Sequence, residues 1–192
     1  MGKARLAATL LGKMDPKTGK VSEYPIPVLK PGYPVGTLDL DFDKAGNPWI
    51  GMMYQGGVAR FDKTTETFTT WSIPKEWQTD AAQTGHLDPS FAHVDGKVWV
   101  KNSDRSQILR LDPKSGEWEN FGSFTDPETK RPIGSYGINA DINNKLYMLD
   151  FNSNNIGILD GATKKLEVHK EATRGVSGCT NSTMVVDGMG RR

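Results

Sequence analysis

The sequence predicts an all-β fold, a β-propeller built of ~48-residue four-stranded blades, and three observations carry that prediction. A module recurs along the chain: Asp43-Lys44-Ala45-Gly46-Asn47-Pro48-Trp49-Ile50 leads to Val58-Ala59-Arg60-Phe61-Asp62, Asp95-Gly96-Lys97-Val98-Trp99-Val100 leads to Ile108-Leu109-Arg110-Leu111-Asp112-Pro113, and Asn143-Asn144-Lys145-Leu146-Tyr147-Met148 leads to Ile156-Gly157-Ile158-Leu159-Asp160. The aromatic anchors Trp49, Trp99 and Tyr147 lie 50 and 48 residues apart, and the turn acids Asp15, Asp62, Asp112 and Asp160 lie 47, 50 and 48 apart. A period of that length, holding about four short strands, is the signature of a propeller blade. The apolar residues alternate or come in short bursts, and the 3.6-residue spacing of a helical solenoid is missing.

Each element follows from local chemistry. The chain starts in the second half of a module. Leu10 to Met14 reads as a third strand, Asp15-Pro16-Lys17-Thr18-Gly19 as a hairpin turn, and about Val21–Tyr24 as a fourth strand stopped by Pro25 and Pro27. Proline presets the turn and cannot donate to a ladder. After a connector at residues 28–36, Leu38-Asp39-Leu40-Asp41-Phe42 alternates as the innermost strand of a complete blade. That blade ends on Thr67–Ile73, with Trp71 expected to seal it against a neighbour. Residues 75–90 read as a long polar connector, and residues 123–134 and 170–183 as two more. Connectors of this length tend to be functional. The blade pieces are then approximately 1–27 (a second half), 37–74, 91–122, 136–169 and 183–192 (the start of another) of a single propeller domain.

At 192 residues the chain holds about four periods, the smallest number with which a propeller closes. Two readings of the ends compete. In one, they pair to complete a fourth blade; in the other, the chain is part of a larger propeller. The second is preferred, because residues 1–9 carry no Gly-x-x-Trp equivalent with which to complete that blade.

Composition narrows the function classes. With 24 basic and 23 acidic residues, no basic patch for nucleic acid or for an anionic membrane surface is expected. No apolar run approaches membrane-spanning length, and the N-terminal apolar stretch is too short to read as a signal peptide. The single Cys179 excludes an intrachain disulfide and a cysteine-based zinc site.

The pattern Asp43…Gly46-Asn47-Pro48-Trp49, with Ile108-Leu109-Arg110-Leu111-Asp112-Pro113-Lys114-Ser115-Gly116 and Asn154-Asn155-Ile156-Gly157-Ile158-Leu159-Asp160, resembles the streptogramin B lyase (virginiamycin B lyase) family over nearly the whole chain. The resemblance implies blades of a seven-bladed ring. For the lyases it implies elimination that opens a cyclic depsipeptide, with a histidine base and Mg²⁺ on one face. It also implies that a parent protein is exported, to the periplasm or outside the cell. Many relatives have the repeats without known activity. The shared motifs are turns and packing positions, so no catalytic residue is carried over from the family.

Candidate site residues come from the face where inter-blade connectors and the loops between second and third strands meet around the channel. The connectors supply Trp77, Asp80, His86 and Asp88, then Asp126 and Arg131, then Arg174, Cys179 and Asn181. The loops supply Tyr54 and Gln55, then Lys101, Asn102, Asp104 and Arg105, then Asp150, Phe151 and Asn152. His86 is the candidate general base, read as a connector histidine with Asp88 two residues on to orient it. Tyr54, Lys101, Asn102, Arg131, Asp150 and Asn152 are the candidate binding residues. His86, His93 and His169 lack metal-ligand spacing, His93 and His169 read as structural or surface residues, and the regular turn acids read as Asx-turn formers.

The expected function is a streptogramin-lyase-like propeller that binds a small ligand or a protein on this face. The alternative is a carbon–oxygen lyase that opens a depsipeptide lactone with Mg²⁺ assistance, and a weaker third reading is a set of sensory or structural repeats attached to another domain. Unpaired blade edges and blade faces built to pack on neighbours lead one to expect self-association, most simply as a homodimer.

Overall fold

The computed structural model describes residues 9–79, 84–90, 92–102, 107–133, 137–150 and 155–170. Fourteen strands occur among them. β1 (Leu10–Met14) and β2 (Val21–Pro25) form a two-stranded sheet. The first complete blade is β3 (Gly36–Phe42), β4 (Pro48–Met53), β5 (Gly57–Asp62) and β6 (Thr67–Ser72). The second is β7 (Thr84–Asp88), β8 (Val98–Asn102), β9 (Gln107–Leu111) and β10 (Trp118–Ser123). The third is β11 (Ile138–Ala140), β12 (Lys145–Asp150), β13 (Asn155–Asp160) and β14 (Leu166–His169). Every pairing is antiparallel between neighbours in sequence, and the first strands β3, β7 and β11 lie against one another. The fold is thus a run of propeller blades, each a meander from an inner to an outer strand.

The second blade begins earlier than its sequence implied. Residues 84–88 were expected to lie in a connector, but they form β7 and pair with β8, with His86 opposite Lys101 and Asp88 opposite Trp99. The stretch Thr-Gly-His-Leu-Asp has one large apolar residue, Leu87, so it carries too little alternation to read as a strand. Leu87 is fully buried, and this burial against the preceding blade is what fixes the strand. His93, expected in a strand-to-turn stretch, sits in a single helical turn, α1 (Ala92–Asp95).

Three layers of side chains hold the blades together. Ile26, Ile50, Met52 and Ala59 pack between the β1–β2 pair and the first blade. Trp49, Val58, Ile73, Leu87, Val100 and Leu109 pack between the first and second. Trp99, Ile108, Ile138, Leu146, Met148 and Leu159 pack between the second and third. Trp71 lies flat on Trp49 (centroids 5.1 Å, planes 9° apart), as expected of a residue sealing its blade.

The turn between third and fourth strands is the same object throughout. The fifth residue's amide donates to the aspartate carbonyl at Asp15, Asp62, Asp112 and Asp160, at 2.8–2.9 Å. In each case the aspartate Oδ1 accepts a backbone N–H two residues on. These bonds hold the four carboxyls below the ordinary carboxylate range, which marks them as Asx-turn formers. Asp126 builds a fifth copy inside the connector before the third blade. Its Oδ1 accepts Glu128 N and Thr129 N at 2.8 and 2.9 Å, in a small hairpin bridged at Thr125 and Pro132.

Candidate functional site

A meander places connectors and the β4–β5, β8–β9 and β12–β13 turns at one end of the blades, and the aspartate turns at the other. The connector end is where ligand chemistry was expected. Its buried amide side chains fasten the connectors there. Gln55, fully buried, accepts from Leu29 N and Lys30 N at 2.8 and 2.7 Å and donates to Tyr33 O and Pro34 O at 3.2 and 2.8 Å. Asn102 donates to Trp77 O at 2.9 Å, and Asn155 donates to Asp126 Oδ2 at 2.6 Å. Three blades therefore use one device, a buried amide at the loop base holding the connector that leads into its own blade. The amides stand 6, 3 and 8 residues after the anchors Trp49, Trp99 and Tyr147, so no fixed spacing marks the device in the sequence.

His86 lies on β7, with its side chain largely buried, and its Nδ1 is 3.8 Å from Asp39 Oδ2 of the preceding blade. The carboxylate beside it is thus Asp39. Asp88, the expected orienting group, serves the next blade: its Oδ2 accepts Ala140 N while Oδ1 accepts the Ser90 amide and hydroxyl. Lys101, buried on β8, is the strand partner of His86, with Asn102 next to it. His86, Lys101 and Asn102 are therefore brought together on the inner strands of the second blade. Tyr54 belongs to the first blade's β4–β5 turn, where it holds φ 63°, and Arg131 is exposed on the Asp126 hairpin. Asp80, Asp104, Arg105, Phe151, Asn152, Arg174, Cys179 and Asn181 lie outside the described residues, as does the side chain of Asp150.

Inner-strand carboxylates link consecutive blades through backbone amides. Asp39 Oδ2 accepts Leu87 N at 3.2 Å, and Asp88 Oδ2 accepts Ala140 N. The register sets Asp41, Asp88 and Asn139 opposite the anchors Trp49, Trp99 and Tyr147. By that equivalence, the residue placed to serve Asp41 as Ala140 serves Asp88 is Pro89, which has no N–H to give. Asp41 Oδ1 accepts its own neighbour's amide, Phe42 N, at 2.7 Å. Burial then pushes the Asp41 carboxyl up to about 6, with the charges of Asp88 and Asp39 adding to the shift. Burial also raises Asp88, against its hydrogen bonds.

Asp41 holds its proton to higher pH folded than unfolded, so between pH 4 and 6 the folded state binds more protons and stability falls as pH rises. Asp41→Asn should remove that loss, making the variant about 1–2 kcal/mol more stable than the parent at pH 7.5 and no more stable at pH 4. Urea unfolding at the two pH values checks this; an equal effect at both would mean that Asp41 does not titrate in this window.

Among the described residues, no three His, Cys, Asp or Glu side chains converge as a metal site requires. Asp39 and Asp88 already direct oxygens to backbone amides. The described residues therefore do not fit the Mg²⁺ that the lyase resemblance implies, and no chemical step is drawn through it. No described helix is long and apolar enough to cross a membrane.

Comparison with known proteins identifies the fold. No family model and no curated protein matches the chain. Among solved structures, virginiamycin B lyase from Staphylococcus aureus matches 88% of this chain and 51% of its own, at 17% identity and TM-score 0.61. The extracellular domain of BT4673 from B. thetaiotaomicron matches 95% of this chain and 23% of its own, at 15% identity and TM-score 0.62. YCF48 bound to D1 peptide matches 70% and 40%, at 14% identity and TM-score 0.52. These neighbours include a lyase and a peptide-bound protein, so the shared architecture spans catalysis and binding. The chain has the β-propeller fold of the virginiamycin B lyase structures and spans about half of their length.

Proposed function

We propose that this chain is a streptogramin-lyase-like propeller module that binds a small ligand or a protein at its connector end, without itself catalysing a reaction. The observation that carries this reading is the commitment of Gln55 and Asn102 to connector backbone, and of Asn155 to the Asp126 carboxylate of its connector. Polar groups that hold loops in place make a preorganised platform, which is what recognition needs. Catalysis by elimination would need a base and an oxyanion-stabilising cation converging on one reacting centre. In this reading Tyr54 and Arg131 supply contacts at that end. The blade face bordered by Leu38, Leu40 and Phe42, all exposed, is the surface for a second copy of the chain.

One observation favours the lyase as a second reading. His86 stands beside a carboxylate that can orient it, with a buried lysine on the paired strand. The two readings separate in one experiment. A streptogramin B lactone incubated with the protein and Mg²⁺ should remain closed by mass spectrometry. Ring opening that disappears in His86→Ala would overturn the binding reading and make His86 the base.

A further inference from the structure

The aspartate-turn end of the molecule holds a groove of about 420 Å³ between the first and second blades, on the opposite end from the connectors. Asp43, Lys44, Ala45, Trp49 and Arg60 line it from the first blade, and Ala92, His93, Gly96 and Pro113 from the second.

Arg110 lies opposite Trp99 on the second blade, and Arg60 lies opposite Trp49 on the first. The two arginines occupy one position in the repeat. Arg110 is 4% exposed, forms an ion pair with Asp95, and stacks its guanidinium 4.7 Å over the Trp99 ring. Asp95 precedes Gly96, which lies three residues before Trp99 at φ +83°. In the first blade, Gly46 lies three residues before Trp49 at φ +78°, and the residue before it is Ala45. The left-handed backbone at the two glycines fixes the equivalence: Ala45 stands where Asp95 stands. The third blade has lost both members, with Asn143 and Ile158 at the two positions. The first blade alone keeps the arginine and lacks its acid.

The surroundings make up the difference only in part: Asp62 Oδ1 is spent on the Thr65 and Thr64 amides of its own turn, which hold its carboxyl low, and the Arg60 charge helps. Arg60 Nε, like Arg110 Nε, is buried with no hydrogen-bond partner. Asp43, the one carboxylate of the groove, already accepts Asn47 N, Asn47 Nδ2 and the Trp49 indole N–H at 2.9–3.2 Å. The Lys63 ammonium donates to the Ala45 carbonyl, and Lys44 is exposed at the rim, so positive charge surrounds the Ala45 methyl. The remaining wall, Trp49, Ala45, Ala92 and Pro113, is mostly apolar.

We propose that this groove binds a small organic acid, its carboxylate taking beside Arg60 the place that Asp95 takes beside Arg110, and its apolar body lying against Trp49, Ala92 and Pro113. An arginine fork binds a carboxylate with two parallel hydrogen bonds, and a half-buried site strengthens them. This site is separate from the connector-end platform, and neither depends on the other.

The probe is benzoate, with benzyl alcohol as its neutral counterpart, and the readout is the Trp49 indole N–H cross-peak in ¹⁵N-labelled protein. The site predicts a saturable shift with benzoate and at least tenfold weaker binding of benzyl alcohol. Arg60→Gln should weaken benzoate at least tenfold. Ala45→Asp, which installs the acid of the second blade, should abolish benzoate binding while leaving the other indole peaks in place, which shows the fold intact. Absence of a saturable shift in the parent protein would overturn the proposal. So would benzoate binding that survives both substitutions, or binding of the alcohol as tight as that of the acid.

Discussion

Trp99→Ala should cost about 3–5 kcal/mol of folding stability, as removal of a large buried aromatic does. The ring is 2% exposed, packs on Phe121 with centroids 4.9 Å apart, and fills the layer between the second and third blades with Ile138, Leu146 and Leu159. Its loss leaves a cavity that rigid, hydrogen-bonded strands cannot close. It also takes away the face on which the buried Arg110 guanidinium rests. In a domain of this size the melting midpoint should fall by roughly 10 °C. Urea unfolding followed by far-ultraviolet circular dichroism measures the change. A cost under about 1 kcal/mol would show that Trp99 does not bridge the blades.

Gln55→Leu should cost about 2–4 kcal/mol, although it preserves side-chain volume. The side chain satisfies two amides, Leu29 N and Lys30 N, and two carbonyls, those of Tyr33 and Pro34, and is itself fully buried. Leucine leaves all four groups to find water or stay unpaired, and each buried unpaired group costs about 1–3 kcal/mol before relaxation. The connector should loosen first. Amide exchange at Leu29 and Lys30 should accelerate at least about tenfold, while strands β12 and β13 of the third blade keep their protection. Unchanged exchange at both amides would show that the connector holds without Gln55.

Both results bear on what was legible in the linear chain. The blade repeat was, because hairpin turns and inter-blade anchors impose residue types locally: Asp15, Asp62, Asp112 and Asp160 recur since each must accept its own turn's amides. Trp49 and Trp99 recur since the same gap between blades must be filled each time. The anchor positions, the turns and the order of strands within each blade are consequences of nearest-neighbour chemistry.

The candidate site was less legible, for a different reason. His86 was placed in a connector with Asp88 as its orienting acid, yet it is on β7 with Asp39 beside it, from a residue 47 positions earlier. Asp88 points to the third blade, and Gln55 and Asn102 face connector backbone. A strand with little alternation reveals itself only when a preceding blade buries its one apolar residue.

The sequence by itself determined the all-β class, the blade period, the aspartate turns and the aromatic anchors, because these rest on interactions within a hairpin or on one repeated packing gap. Tertiary structure alone decided which carboxylate meets His86, that burial raises the pKa of Asp41, and that Arg60 stands beside an alanine where Arg110 has an aspartate. Those outcomes depend on the registration of one blade against the next. That registration is set by packing between residues some 50 positions apart, and no local pattern encodes it.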